Sequence, residues 1–158
     1  MSDVGVAARC VTEADTLALG ERIGTRVEPG DLILLSGQLG AGKTVLVRGI
    51  AAGMGIDPTL VRSPTFVLHH VYRAGAMVLH HIDLYRLGPD ADIRLLDIDE
   101  MLESGGVVVV EWGEHAGREH DAPASISIDI DSDGSRLISP PSGAPSRLTD
   151  AWDARGRS

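Results

Sequence analysis

The sequence predicts an α/β protein: a mostly parallel sheet flanked by helices, with antiparallel additions. Three observations carry this reading. The runs Leu32-Ile33-Leu34-Leu35 and Val107-Val108-Val109-Val110 are apolar throughout, as strands covered on both faces must be. Such runs alternate with segments of helical period, the pattern of helices crossing over a parallel sheet. Late in the chain, polar–apolar alternation leads into Asp133-Gly134, a hairpin signal with one wet face.

The elements follow in order. Residues 12–27 read as a helix, because Leu19, Ile23 and Val27 recur at helical spacing. Thr12 with Asp15 three residues on has the form of a capping box, Asp replacing the usual Glu or Gln. Pro29-Gly30-Asp31 is a turn before the first apolar strand. Residues 43–54, with Val45, Leu46, Ile50 and Ala51, read as a helix ending near Gly53 or Gly55. Ser63-Pro64-Thr65-Phe66 is a loop entering a strand, and residues 77–82 form another strand after the turn at Ala74-Gly75. Residues 90–103 read as one or two short helices, broken by Ser104-Gly105-Gly106. Residues 107–110 are the most β-prone stretch. Ile126, Ile128 and Ile130 alternate with polar residues, and 136–138 return as the hairpin partner. From Ser139 the composition turns to Pro, Ser and Gly. The expected division is therefore a folded domain over 1–138 and a disordered tail over 139–158.

At 158 residues the length suits about one domain. The formal charge of −9 argues against a protein that holds DNA or RNA by its own charge, since phosphate binding needs Lys and Arg. No apolar run approaches the ~18 residues of a membrane span. Met1-Ser2-Asp3 lacks the basic and apolar regions of a secretory signal, and Cys10 has no partner for an internal disulfide. The expectation is a cytoplasmic protein with no membrane contact. There is no asparagine, and Lys43 is the only lysine.

That lysine stands in Gly37-Gln38-Leu39-Gly40-Ala41-Gly42-Lys43-Thr44, which matches G-x-x-x-x-G-K-[ST] between a buried strand and a helix. Glycines let successive N–H groups face one anion, and the helix aims its positive end at the same spot. Lys43, a lysine in a surface loop, would place charge on the β- and γ-phosphates, and the Thr44 hydroxyl would ligate Mg²⁺. The predicted sheet is thus P-loop NTPase-like. A guanine-reading N-K-x-D motif needs an asparagine and a second lysine, so ATP is the expected nucleotide.

Such a loop needs a carboxylate at the end of a neighbouring strand. Glu111 follows one apolar strand and Asp83 another. In an open parallel sheet both lie at the carboxyl ends, where ligands sit. His81 shares a strand face with Asp83 and would orient nucleotide or water, while alternation within His69-His70 and His80-His81 argues against a zinc site. Thr65, in an extended loop after Pro64, sits where switch loops sense the γ-phosphate.

Four motifs in this order resemble the TsaE family: Gly40-Ala41-Gly42-Lys43-Thr44, Ser63-Pro64-Thr65-Phe66, His81-Ile82-Asp83-Leu84-Tyr85-Arg86 and Glu111-Trp112. The resemblance runs from about residue 12 to 112. Gln38 departs from the family's usual Asp, and the Pro-rich tail has no counterpart in the core family. The resemblance implies a small Mg²⁺-dependent ATPase of tRNA threonylcarbamoyladenosine biosynthesis. It implies that residues 38–44 (Gln38, Leu39, Gly40, Ala41, Gly42, Lys43, Thr44) hold nucleotide, that Thr44 and Glu111 ligate Mg²⁺, and that Asp83 supports hydrolysis. Thr65 matches the switch loop, Trp112 lies beside the nucleotide, and Thr12 lies where the family's N-terminal segment nears the base. The implied partners are TsaD and TsaB, the pair that transfers threonylcarbamoyl to tRNA, so tRNA is met only through them and DNA not at all. The implied ATPase is slow, and its hydrolysis resets the complex between turnovers. The competing class is a stand-alone small-molecule kinase. Such kinases usually carry an arginine-rich lid, and no Arg cluster stands between Asp83 and Glu111.

Overall fold

The computed structural model describes residues 5–64, 68–85, 97–112 and 124–153. The strands are β1 (Ala8–Cys10), β2 (Leu32–Ser36), β3 (His69–Ala74), β4 (Met77–Asp83), β5 (Val107–Glu111), β6 (Ala124–Ile130) and β7 (Arg136–Ser139). The helices are α1 (Glu13–Gly24), α2 (Lys43–Gly53), α3 (Ile98–Glu103) and α4 (Ser146–Thr149), with 3-10 turns at Pro58–Leu60 and Asp150–Trp152.

Among these residues the strands form one seven-stranded sheet of order β1-β7-β6-β2-β5-β4-β3. The four central strands β6, β2, β5 and β4 are mutually parallel. The edges are antiparallel: β3 on β4, and β7 on β6 with β1 outside it. This is the expected α/β sheet with antiparallel additions. The register brings Leu35 and Asp83 level with Glu111, so the carboxyl ends of three parallel strands meet in one place.

The apolar strands separate two core layers. Ile33, Leu35, Val107, Val109 and Ile126 face α1 and α2, meeting Leu19, Ile23, Leu46 and Ile50. Leu32, Leu34, Val108 and Val110 face the other way, toward Ile82, Leu84 and Ile98 of α3. Each such side chain contributes roughly 1.5–3 kcal/mol when fully buried.

Helix α1 starts as its sequence indicates. The Thr12 hydroxyl accepts from Asp15 N, and the Asp15 carboxylate accepts from the Thr12 and Val11 N–H groups at 3.1 and 3.0 Å. Those backbone bonds, Thr12 first and then Val11, hold the Asp15 carboxyl below its ordinary range. Helices α1 and α2 then approach backbone to backbone. A Cβ on Gly24 would lie 2.1 Å from the Ile50 carbonyl oxygen, and one on Gly49 would lie 2.4 Å from that of Leu17. Only glycine permits that approach.

Two expectations are corrected. The division at residue 138 fails, because the stretch expected to be a disordered tail is folded over 139–153. Leu148 and Ala151 are buried. The Arg147 guanidinium donates to both Asp31 carboxylate oxygens at 2.6 Å, and the Trp152 indole N–H donates to the Ile138 carbonyl at 2.8 Å. Pro, Ser and Gly predict no element of their own, but a few anchors suffice to dock the segment on α1 and the start of β2. Strand β1 was not expected at all, being three residues without a pattern and formed only by pairing with β7. Residues 90–96 of the expected helical segment and 154–158 of the expected tail lie outside the described residues.

Candidate active site

The chain leaving β2 wraps back on itself before α2 begins. Gly40 and Gly42 take φ values of +81° and +99°, which L side chains rarely adopt. Gly42 caps α2 without a side-chain bond, and no carboxylate stands in that helix's first turn. The positive end of the helix is therefore left to a ligand. It opens on a cavity of about 560 Å³, within the size range of small-molecule sites.

Lys43, expected on the surface, is only 5% exposed. Its ammonium donates to the Gly37 and Gln38 carbonyls at 2.5 and 2.9 Å and lies 4.0 Å from the centre of the Trp112 ring. Loop closure buries the residue, which nevertheless contributes to the cavity lining. The loop's own carbonyls hold the charge where an anion would otherwise meet it.

Across the cavity, the Thr44 hydroxyl donates to the Glu111 carboxylate, 3.0 Å from both oxygens. His81 Nε2–H donates to Glu111 Oε2 at 2.5 Å. His81 is fully buried, so it does not orient nucleotide or water as the sequence reading expected; it faces the back of Glu111. Its Nδ1 is buried without a hydrogen-bond partner. That arrangement selects the tautomer with hydrogen on Nε2, because a bare buried acceptor is tolerated better than a bare buried N–H. Asp83, on the neighbouring strand, accepts from the Ser63 hydroxyl at 3.2 Å and the Tyr85 N–H at 2.9 Å.

Leu39, Gly40, Ala41, Gly42, Lys43, Thr44, Asp83, Glu111, Trp112 and Thr12 all line this one cavity. Thr12 does so as the cap of α1. Gln38 is not in the lining and joins the site through its carbonyl bond to Lys43. Thr65 lies outside the described residues. Sequence reasoning missed Arg136, Cys10 and Val11, which also line the cavity. Burial pushes the Cys10 thiol above its ordinary value. No local pattern marks these three; Cys10 and Arg136 arrive through the β1–β7 pairing, and Val11 follows β1 directly.

The donor set fits Mg²⁺. A hydroxyl and a buried carboxylate beside an open cavity are hard oxygen ligands. It also fits a polyphosphate, through the uncapped helix and the single lysine.

A family model described as threonylcarbamoyl adenosine biosynthesis protein TsaE matches residues 10–138. The tRNA threonylcarbamoyladenosine biosynthesis protein TsaE of Treponema pallidum is 39% identical over 133 residues, which are 82% of this chain and 97% of that one. The protein of the same name from Mycobacterium tuberculosis strain H37Rv is 48% identical over 109 residues, 63% of this chain and 64% of that one. The crystal structure of Bacillus subtilis YdiB superimposes with a TM-score of 0.74 at 29% identity, covering 97% of this chain and 94% of that one.

Proposed function

Because the chain belongs to the TsaE family, whose members serve tRNA threonylcarbamoyladenosine biosynthesis, we propose that it is a Mg²⁺-dependent ATPase that regulates or resets a TsaD–TsaB transferase complex. The observation that carries this is the grouping of Lys43, Thr44 and Glu111 around the uncapped start of α2.

In this reading the N–H groups of the loop and of α2 receive the phosphates. Lys43 exchanges the carbonyls of Gly37 and Gln38 for phosphate oxygens. Thr44 and Glu111 would hold Mg²⁺, and His81, bonded to Glu111 Oε2, fixes the position of that carboxylate. Mg²⁺, when bound, neutralises phosphate charge. Asp83, held by Ser63 and Tyr85, orients the attacking water, and Thr65 senses the γ-phosphate. Trp112, against the Lys43 ammonium, reports on occupancy of the site.

No charge in the site calls for direct contact with tRNA, and an acidic chain is suited to act through partners. Among the described residues no helix is long and apolar enough to cross a membrane. The experiment is calorimetry with Mg·ATP on the wild type and on Lys43→Ala. The wild type binds, and the variant, folded by circular dichroism, does not. Unchanged affinity in the variant would refute the phosphate-loop reading.

A further inference from the structure

We infer that Arg136 is a positioning residue of the phosphate loop, fixing the Gly40 and Ala41 carbonyls so that the Gly42 N–H and the start of α2 face the anion. The inference rests on the proposed reading that this loop receives a polyphosphate.

Arg136 opens β7 and pairs with Cys10 of β1. Its guanidinium bridges the turn of its own hairpin and the phosphate loop. Nε–H donates to the Ala41 carbonyl at 3.1 Å, and Nη2 donates to the Gly40 carbonyl at 3.0 Å. Nη1 donates to the Gly134 carbonyl at the hairpin turn. One planar group thus ties the β6–β7 turn to the loop, some 95 residues away in sequence.

The loop needs an external hold. At Gly40 and Gly42 nothing lies within 4 Å of where a Cβ would stand, so of residues 40–42 only the buried Ala41 side chain packs against the core. Glycine's freedom lets the loop adopt its shape and equally lets it leave. The Ala41 N–H closes an internal turn onto the Gln38 carbonyl at 3.0 Å. The two carbonyls on either side of Ala41 are the ones Arg136 takes.

The bonds also act through the peptide groups. A carbonyl that accepts a charge-assisted bond polarises its amide, which makes the N–H on the same peptide a better donor. The Ala41 carbonyl shares its peptide with the N–H of Gly42, the residue just before α2. The geometry requires a fork: three donors of fixed spread meet three carbonyls. A lysine would supply the charge without that spread.

Arg9, on β1, provides a control that bonds the same hairpin. It bonds Asp131, Asp133 and Ser135 and makes no bond to the phosphate loop. The test measures ADP affinity by calorimetry and thermal midpoint for the wild type, Arg136→Ala, Arg136→Lys and Arg9→Ala. Arg136→Ala should weaken ADP by ~10-fold, the loss of about one charged hydrogen bond. Arg136→Lys should recover little of that, and it carries the test alone if the alanine variant does not fold. Arg9→Ala should lower the midpoint but bind ADP as the wild type does. Wild-type ADP affinity in Arg136→Ala, full recovery in Arg136→Lys, or an equal loss in Arg9→Ala would each overturn the inference. A wild type that does not bind ADP would overturn the nucleotide reading itself.

Discussion

Glu111 is held from two sides, by the Thr44 hydroxyl at 3.0 Å and by the fully buried His81 at 2.5 Å. Asp83 is level with it on the next strand but bonds Ser63 and Tyr85 instead. Two carboxylates a strand apart therefore have different partners, and the proposed reading gives them different work. Glu111→Ala should weaken Mg·ATP binding. Asp83→Ala should spare binding and slow hydrolysis by ~10²–10⁴, the usual worth of one positioned acid or base. Calorimetry and single-turnover phosphate release separate the two. Equal losses of ATP affinity in both variants would contradict this division. The residues of this site were legible where chemistry is local: Lys43, Thr44, Asp83 and Glu111 each end or follow a recognisable strand or motif. Arg136 was not, because its bonds to Gly40 and Ala41 depend on how the β6–β7 hairpin meets a loop far away in sequence.

At the level of elements, the local signals were sound. The capping box, the apolar strands and the Asp133-Gly134 turn all mark structure that forms from neighbours in sequence. What they could not show is which elements touch. Gly20 and Gly24 on α1 and Gly49 and Gly53 on α2 stand four apart in each helix, and only the packed structure shows the four in contact. Gly24→Ala should destabilise the protein by ~1–3 kcal/mol, the usual cost of overpacking, read by urea unfolding. An unchanged midpoint would mean that the helices part without cost. The β3–β4 hairpin carries a pH dependence. His69 and His80 stack and share a 2.9 Å hydrogen bond. Burial first, and then neighbouring positive charge, lowers both pKa values. A group with a lowered folded pKa binds protons more readily when unfolded. Its stabilisation is complete above the unfolded value of ~6.5 and falls as pH drops toward the folded one. The thermal midpoint should therefore fall between about pH 7 and 5, and His80→Gln should flatten that slope. A slope that persists in the variant would place its origin elsewhere.

The whole molecule is closed by the segment that composition marked as disordered. Arg147 grips Asp31 at the start of β2 and the Arg26 carbonyl beyond α1, and Arg22 donates to the Ala151 carbonyl at 2.8 Å. Bonds to Asp31 and Glu28 raise the Arg147 pKa, the Asp31 hydrogen bond most of all. Composition could not reveal this, because docking depends on a few anchors rather than on an average. Arg147→Ala should cost ~1–3 kcal/mol in urea unfolding, since it strips a two-pronged charged contact. No change would mean that α4 contributes nothing to the fold.

The same scale holds the claim on which the functional reading turns: that nucleotide state is exchanged for partner binding. If ATP tightens the complex with TsaD and TsaB by some factor, those partners must tighten ATP by the same factor. One titration measures both, following ATP affinity through Trp112 with and without the TsaD–TsaB pair, and pair affinity with and without ATP. The predicted result is two equal factors well above one, with slow hydrolysis alone and faster hydrolysis in the complex. Partner affinity indifferent to ATP, or fast hydrolysis by the isolated chain, would contradict the account.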